Sequence, residues 1–306
     1  MNIRHLKFFV ALAREQNHAR AAAACNVTQP TLSEAVRALE QDLSVPLIDR
    51  SGKRYRGLTA EGERVLGWAQ RIIADEEALE QELAEMRQGL GGDLRFGVIP
   101  AAMPMVPLIT NPFCRSHPLV TLKLLSHSSI DIQRGLDEGW LEAGLTYLEN
   151  EPLRNVRTLP LYRENYIFLT PAGGRFDGLQ AVSWRDAAKL PLCLLTRDMQ
   201  NRRIIDRLFS EGGAHQVKAA IETNSVLALI AHVRSGDWSS VIPQTFLKLI
   251  GHEGGLNGLQ AIPLVEPAAA QSIGLVVAER EPLAPHARAL LKSARQTDLS
   301  RILRMQ

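Results

Sequence analysis

Apolar residues Leu32, Val36, Leu39 and Leu43 recur at spacings of four, three and four residues, the stripe of a helix that buries one face. The opposite face then carries Gln29, Pro30, Thr31, Ser33, Glu34 and Arg37. Ahead of it, Asn17 is a good N-cap for the run Arg20-Ala21-Ala22-Ala23-Ala24-Cys25, whose small side chains let a second helix cross at close range. Asn26 and Val27 make the turn between the two. Thr28 caps the second helix, and Pro30 sits in its first turn, where a missing amide costs little because those amides lack intrahelical partners. After the helix, Leu47-Ile48-Asp49-Arg50, the turn Ser51-Gly52 and Lys53-Arg54-Tyr55-Arg56 read as a small hairpin. Two short helices, a tight turn and a basic hairpin predict a winged helix-turn-helix, a shape that docks on DNA.

Between Thr59 and Gln88 the pattern lengthens. Val65, Ala69, Ile72, Glu76, Leu79, Leu83 and Met86 alternate spacings of four and three with no proline, which predicts one long helix carrying a coiled-coil seam with a single polar interruption. Such a stripe is expected to pair with the same helix of a second subunit, and so to set two recognition helices on adjacent turns of the groove. Gly89 to Gly92 reads as a joint. From Asp93 onward short apolar strands alternate with helices: Leu94 to Ile99, Thr121 to Leu125, Glu142 to Thr146, Tyr166 to Thr170, Leu192 to Thr196, Ser240 to Ile242 and Ile273 to Ala278. That order predicts an α/β arrangement with parallel sheets.

Charge sharpens the picture. Met1 to Leu58 holds nine Lys/Arg against five Asp/Glu, whereas Thr59 to Gly92 holds three against eight, so positive charge is local although the whole chain of 306 residues is only +2. A hydrophobic content of 45% over this length is enough for two or three cores. No apolar run is long enough to span a bilayer and no signal-peptide core follows Arg4, His5 and Lys7, so the expected location is the cytoplasm, away from membranes. Cys25, Cys114 and Cys193 lie far apart without CxxC spacing, which disfavours a zinc site or a disulfide framework; neither metal nor cofactor is expected.

Arg20-Ala21-Ala22, Thr28-Gln29-Pro30-Thr31-Leu32-Ser33, Leu39-Glu40, Leu47, Arg50 and Leu58-Thr59-Ala60-Glu61-Gly62 resemble the amino-terminal signature of LysR-type transcriptional regulators. Two positions depart from it: Glu34 stands where a longer neutral or basic side chain is usual, and His18 replaces an aromatic. Glu34 has two readings, acceptor from a cytosine amino group or partner of Arg37 one turn away. The candidate DNA-contacting residues are Arg20, Thr28, Gln29, Pro30, Thr31, Ser33, Glu34 and Arg37 on the helices and Arg50, Lys53 and Arg54 on the wing, whose cations neutralise flanking phosphates.

The resemblance extends more loosely over the second half, through Phe96-Gly97-Val98, Phe113 to Leu125, Gly139-Trp140-Leu141-Glu142 and Val233 to Pro243. It implies two lobes similar to periplasmic binding proteins, with the chain crossing near Leu161 and returning near Leu264 to Pro267. The resulting division is a winged helix-turn-helix at 1–58, a linker helix and hinge at 59–92, lobe one at 93–161 plus 268–306, and lobe two at 162–267. It also implies a dimer of dimers, a promoter operator in double-stranded DNA and contact with RNA polymerase.

Ligands of open α/β sheets bind beyond the carboxyl ends of strands, where helix amino termini present free amides and favour a small anion. The strand-to-helix corners supply the candidate effector residues Pro100, Ala101, Ala102, Met103, Thr146, Thr196, Met199, Gln200, Arg202, Thr223, Asn224 and Ser225. With aromatic residues only 5% of the chain, the expected small-molecule effector is a compact carboxylate or inorganic anion. No G-x-S-x-G elbow, H-E-x-x-H, P-loop or Rossmann glycine fingerprint occurs, so catalysis is not expected. The alternatives are an enzyme or small-molecule carrier with an accessory helix-turn-helix, which turnover of a bound metabolite would reveal, and an architectural DNA binder, which would ignore every ligand.

Overall fold

Side-chain caps set the breaks between the first helices. The computed structural model describes residues 1–49, 56–250 and 258–297, and the chain divides into two units, Met1–Gly91 with Gly135–Trp140 and Gly92–Arg134 with Leu141–Gln306. In the first, α1 (Ile3–Glu15), α2 (His18–Ala24), α3 (Gln29–Leu43) and α4 (Ala60–Gln88) follow one another. Asn17 Oδ1 accepts from the amides of Ala19 and Arg20 at 2.9 and 3.1 Å. Thr28 Oγ1 accepts from the Thr31 amide at 3.4 Å, and Pro30 stands in the first turn of α3. Leu6, Phe9, Leu12, Ala21, Leu32, Val36, Leu39 and Leu47 form the core of this unit.

The start of α4 is locked onto that core. Thr59 Oγ1 donates to the Pro46 carbonyl at 2.7 Å and accepts from the Gly62 amide at 2.9 Å. A Cβ on Gly62 would meet the Leu47 carbonyl oxygen at 2.2 Å, so only glycine lets the helix begin there. Val65, Ala69 and Ile72, with Leu66 and Ile73, pack on the module's own core, and Lys7 Nζ pairs with Glu76 Oε2 at 2.7 Å. This corrects the expectation that the whole seam awaits a second subunit: α1 offers an apolar face that covers its first half. Leu79, Leu83 and Met86, at 58%, 45% and 80% exposure, remain uncovered. The hairpin expected after α3 falls at Arg50 to Tyr55, outside the described residues; its flanks are joined by an Ile48–Leu58 bridge and by the Asp49 amide donating to Gly57 O at 3.1 Å.

The second unit runs β1 (Gly91–Val98), a 3-10 turn (Pro100–Met105), α5 (Val106–Ser116), β2 (Leu119–Ser126), α6 (Ser129–Glu138), β3 (Ala143–Tyr147), β4 (Val156–Pro171), β5 (Val182–Ser183), α7 (Trp184–Ala187), β6 (Leu192–Leu195) and α8 (Gln200–Glu211). It continues with β7 (Ala219–Thr223), α9 (Val226–Arg234), β8 (Ser240–Pro243), a second 3-10 turn (Gln244–Phe246), α10 (Leu247–Ile250), β9 (Leu259–Val265), β10 (Ala270–Ala278) and α11 (Pro285–Gln296). Strands are ordered β2-β1-β3-β10-β4-β9-β5, with β8 also on β4, while β6 and β7 form a separate parallel pair.

One strand serves both lobes. Residues 156–165 of β4 pair antiparallel with β10, and residues 166–171 pair antiparallel with β8 and β9. The first crossing therefore falls at Asn165–Tyr166, four residues past the expected Leu161, and the return lies between β9 and β10. The expected parallel pairing is found for β1 with β3, β5 with β9 and β6 with β7, and is corrected where the shared strand and β10 pair antiparallel. β1 and β3 are parallel, but β10 runs antiparallel to both β3 and β4, because the crossing strand leaves and the returning strand enters in opposite directions. Lobe two packs Ile167, Leu169, Leu195, Leu229, Val233 and Ile242 around the buried Cys193. No helix among the described residues is long and apolar enough to cross a membrane.

Candidate functional site

Two surfaces carry chemistry, one on each unit. On the first, the α3 stripe turns Gln29, Pro30, Thr31, Glu34 and Arg37 outward and leaves Ser33 half-buried, its Oγ 3.4 Å from His18 Nδ1. Thr28 is exposed but bonded to Thr31, hydroxyl to hydroxyl at 2.8 Å, so part of its polarity is committed to the cap. Arg20 is exposed on α2 and donates to the Glu15 carbonyl at 2.5 Å. Glu34 and Arg37 form no ion pair with each other, which leaves both side chains facing solvent on the same helical face. Arg50, Lys53 and Arg54 lie outside the described residues.

On the second unit the corners of both lobes meet. Ile99, Pro100, Ala101, Ser128, Ser129 and Tyr147 of lobe one and Leu195, Met199, Gln200 and Asn201 of lobe two surround a narrow cavity of about 10 Å³, room for about one water molecule. None of these residues is charged. The amino termini of α6 and α8 both open on it, and the first-turn amides of a helix have no intrahelical acceptor. At α6, Ser128 Oγ accepts from the Asp131 amide at 3.2 Å and donates to Asp131 Oδ2 at 2.7 Å. At α8 the side chain of the capping residue, Met199, makes no capping hydrogen bond. Two partial positive poles therefore face one small space.

Four contacts join α8 to the end of β3 and the segment that follows it. Asn201 Nδ2 donates to Tyr147 Oη at 2.8 Å, and Gln200 Nε2 to the Glu149 carbonyl at 2.9 Å. Arg203 Nε donates to Glu151 Oε1 at 2.6 Å, and Arg207 bonds Asn150. Glu151 in turn lies 3.4 Å from Ser129 Oγ, so the bridge reaches the mouth of the cavity.

The sequence-derived effector residues divide. Pro100, Ala101, Met199 and Gln200 line the cavity; Ala102 and Met103 continue the 3-10 turn behind it without lining it. Thr146 and Thr196 keep buried hydroxyls with no hydrogen-bond partner. Thr223 Oγ1 accepts from the Ser225 amide at 3.2 Å, and Ser225 Oγ from the Ala228 amide at 3.3 Å, so both serve the start of α9; like Asn224, they do not line the cavity.

Arg202 is the clearest correction. Its side chain is 1% exposed and its Nη1 reaches Glu222 at 2.8 Å and the Leu195 carbonyl at 2.7 Å, while Nε reaches Asp206 at 2.8 Å. The guanidinium ties α8 to β6 and β7 through Nε and Nη1 and does not line the cavity, while its Nη2 is buried with no hydrogen-bond partner among the described residues. Ser128, Ser129, Tyr147 and Asn201 line the cavity although they are not among the residues expected from the sequence. The signals for them are a capping pattern, Ser128-Ser129-Ile130-Asp131, shortly after β2, and a tyrosine one residue beyond Thr146.

Buried polar groups continue beneath the cavity. Tyr166 Oη lies 3.3 Å from Tyr147 Oη, and burial pushes both phenols well above their ordinary range. Among the described residues no cluster of three metal-ligating side chains occurs.

Comparison with known proteins follows this division. The profile "LysR substrate binding domain" matches residues 87–298, and "Bacterial regulatory helix-turn-helix protein, lysR family" matches residues 3–63. A probable hydrogen peroxide-inducible genes activator of Mycobacterium avium is 29% identical over 272 residues, 89% of this chain and 86% of that protein. The SDS degradation transcriptional activation protein of a Pseudomonas strain is 30% identical over 299 residues, 94% of each. Among solved structures, a full-length OxyR variant from Pseudomonas aeruginosa superposes with a TM-score of 0.74 at 26% identity, covering 98% of this chain and 96% of that one.

Proposed function

Because the chain belongs to the LysR family of DNA-binding transcriptional regulators, which also bind small-molecule effectors and form oligomers, we propose that a compact carboxylate or inorganic anion bound in the inter-lobe cavity switches its effect on a promoter. The observation that carries this reading is the convergence of the α6 and α8 amino termini on one narrow cavity with no charged residue in its lining. Tyr147 adds a hydroxyl, and Asn201 and Gln200 add amides, whereas the hydroxyl protons of Ser128 and Ser129 are engaged by Asp131 and Glu151; the lobes part to admit an anion larger than the single water the cavity holds. A ligand there touches both lobes at once. Its differential affinity for the closed arrangement is the source of allosteric work.

On DNA, α3 supplies base contacts through Gln29, Ser33, Glu34 and Arg37, while Arg20, Thr28 and the wing cations Arg50, Lys53 and Arg54 hold phosphates. Leu79, Leu83 and Met86 of α4 pair two chains, and two pairs make a homotetramer in the cytoplasm whose lobe movement alters DNA bending and contact with RNA polymerase.

A peroxide response, which the names of several relatives carry, needs an accessible thiolate. Cys193 is fully buried, its Sγ 3.5 Å from the Ser239 carbonyl, and burial pushes its thiol up; burial raises Cys25 as well. These environments favour the anion over oxidation of Cys193 or Cys25 as the signal.

The test is a footprint on the intergenic DNA beside the protein's own gene, with and without a panel of small carboxylates and inorganic anions. A protected site whose length or hypersensitive bend shifts with one anion is expected. A site indifferent to every anion refutes the ligand class, and the absence of sequence-specific protection at moderate salt sinks the regulator reading.

A further inference from the structure

The strand shared by the two lobes carries a buried carboxyl that the cavity does not use. Glu164 is 1% exposed, sits opposite Gln271 of β10, and lies just before β4 changes partners. Its acceptors are engaged by the other lobe: the Thr245 amide donates to Oε1 at 3.2 Å and Thr245 Oγ1 to Oε2 at 2.6 Å. The Gln244 amide faces it from the same turn, and the hydroxyl of Tyr162 lies beside it on β4. Tyr147 of β3 and Tyr166 of β4 form the next layer, tied to Asn201 of α8. The cation acting on this layer is Arg207, which bonds Asn150 and Glu211; no Lys or Arg among the described residues pairs with Glu164. A carboxylate among phenols without a counter-cation is disfavoured as an anion. Burial accordingly lifts Glu164 to about 7 although several donors oppose the shift.

We propose that Glu164 links closure of the two lobes to proton uptake. The link rests on the reading of lobe closure as the effector response. The joined lobes keep Thr245 over the carboxyl and exclude water; parting them hydrates it and lets the proton leave. Raising the pH through neutrality therefore favours opening, and an anion that closes the lobes binds up to about tenfold more weakly per pH unit above that point. Trp184 is placed to report the movement, since its Nε1 donates to the Pro267 carbonyl on the return crossing at 3.0 Å and its ring meets Tyr166 edge-on at 6.5 Å.

The experiment titrates the full chain from about pH 6 to about pH 8.5 with two readouts that need neither DNA nor effector. One is the infrared carbonyl stretch of a protonated buried carboxyl; the other is Trp184 emission, taken as the difference from Trp184→Phe. Both are expected to change together in the native chain. Glu164→Gln, which keeps one donor and one acceptor, is expected to lose both transitions and to hold the low-pH emission throughout. Thr245→Val removes a bond that supports the ionised form and should move the shared midpoint up by about one unit; it carries the test if Glu164→Gln fails to fold. A Trp184 transition that persists in Glu164→Gln, a midpoint unmoved in Thr245→Val, or a carboxyl band lost with Trp184 unchanged overturns the proposal. Any of these leaves the regulator reading standing, because that reading fails only in the footprint.

Discussion

Asn201 Nδ2 lies 2.8 Å from Tyr147 Oη, a bond between a lobe-two helix and a lobe-one strand at the wall of the cavity. Removing it in Asn201→Ala deletes one cross-lobe bond of about 1 kcal/mol and leaves the Tyr147 hydroxyl with Tyr166 alone. Amide exchange over 147–151 is expected to quicken roughly fivefold in that variant. Unchanged exchange in this segment would show that Asn201 does not hold the lobes.

Arg202 predicts a different phenotype from its neighbours on α8. Its partners Asp206 and Glu222 are 35% and 43% exposed, so water takes over part of their loss, and Arg202→Ala is expected to cost about 2 kcal/mol of folding stability. Thermal unfolding of the variant should fall by several degrees while the Asn201–Tyr147 side of the helix keeps its exchange pattern. A variant of native stability would return Arg202 to the list of ligand contacts.

What the sequence made legible was whatever depends on near neighbours. The α3 stripe, Thr28 as its cap and Pro30 in its first turn are local patterns, and the corners at Pro100–Ala101 and Met199–Gln200 follow from strands that end where helices begin. What escaped depends on distant partners. The guanidinium of Arg202 turns inward because Glu222 arrives on β7 twenty residues later. The first half of the α4 seam is covered because α1, far back in the chain, supplies an apolar face. β4 reads as a short strand at Tyr166 because Pro160 and the polar run Arg163-Glu164-Asn165 interrupt its first part, which pairing with β10 nonetheless completes.

The uncovered end of α4 gives the third prediction. Leu79 and Leu83 are one turn apart and exposed, and neither has a hydrophobic partner in the core of its own unit. Leu79→Asp combined with Leu83→Asp is expected to yield monomers in sedimentation and to weaken operator binding at least tenfold, since each recognition helix would then bind a half-site alone. A double variant that sediments like the native chain would place the subunit contact elsewhere.

Glu164 also predicts a pH dependence of folding. Its proton is held up to about 7 in the folded chain and released near the usual carboxyl value of 4.5 when unfolded. Between those limits the native state binds more protons than the unfolded chain, so stability from this group is complete below the window and is lost as pH rises through it. The loss is on the order of 3 kcal/mol. Urea titrations at either end of the window should show this slope in the native chain, and Glu164→Gln should remove that share of it.

The two classes of DNA contact separate by salt. Arg37 and Gln29 lie exposed on the outward face of α3; on the proposed base-contact role, Ala at either position is expected to relax sequence choice by roughly 1–3 kcal/mol at one base pair while nonspecific binding persists. Arg50 and Lys53 are expected to contribute charge without sequence information. Ala at either should weaken every duplex alike and lower the slope of log affinity against log salt by about one. Competition titrations against mutated operators at two salt concentrations distinguish the sets. If helix and wing variants lost affinity in the same way on specific and random DNA, α3 would be gripping the backbone and sequence choice would have to come from the shape of the site.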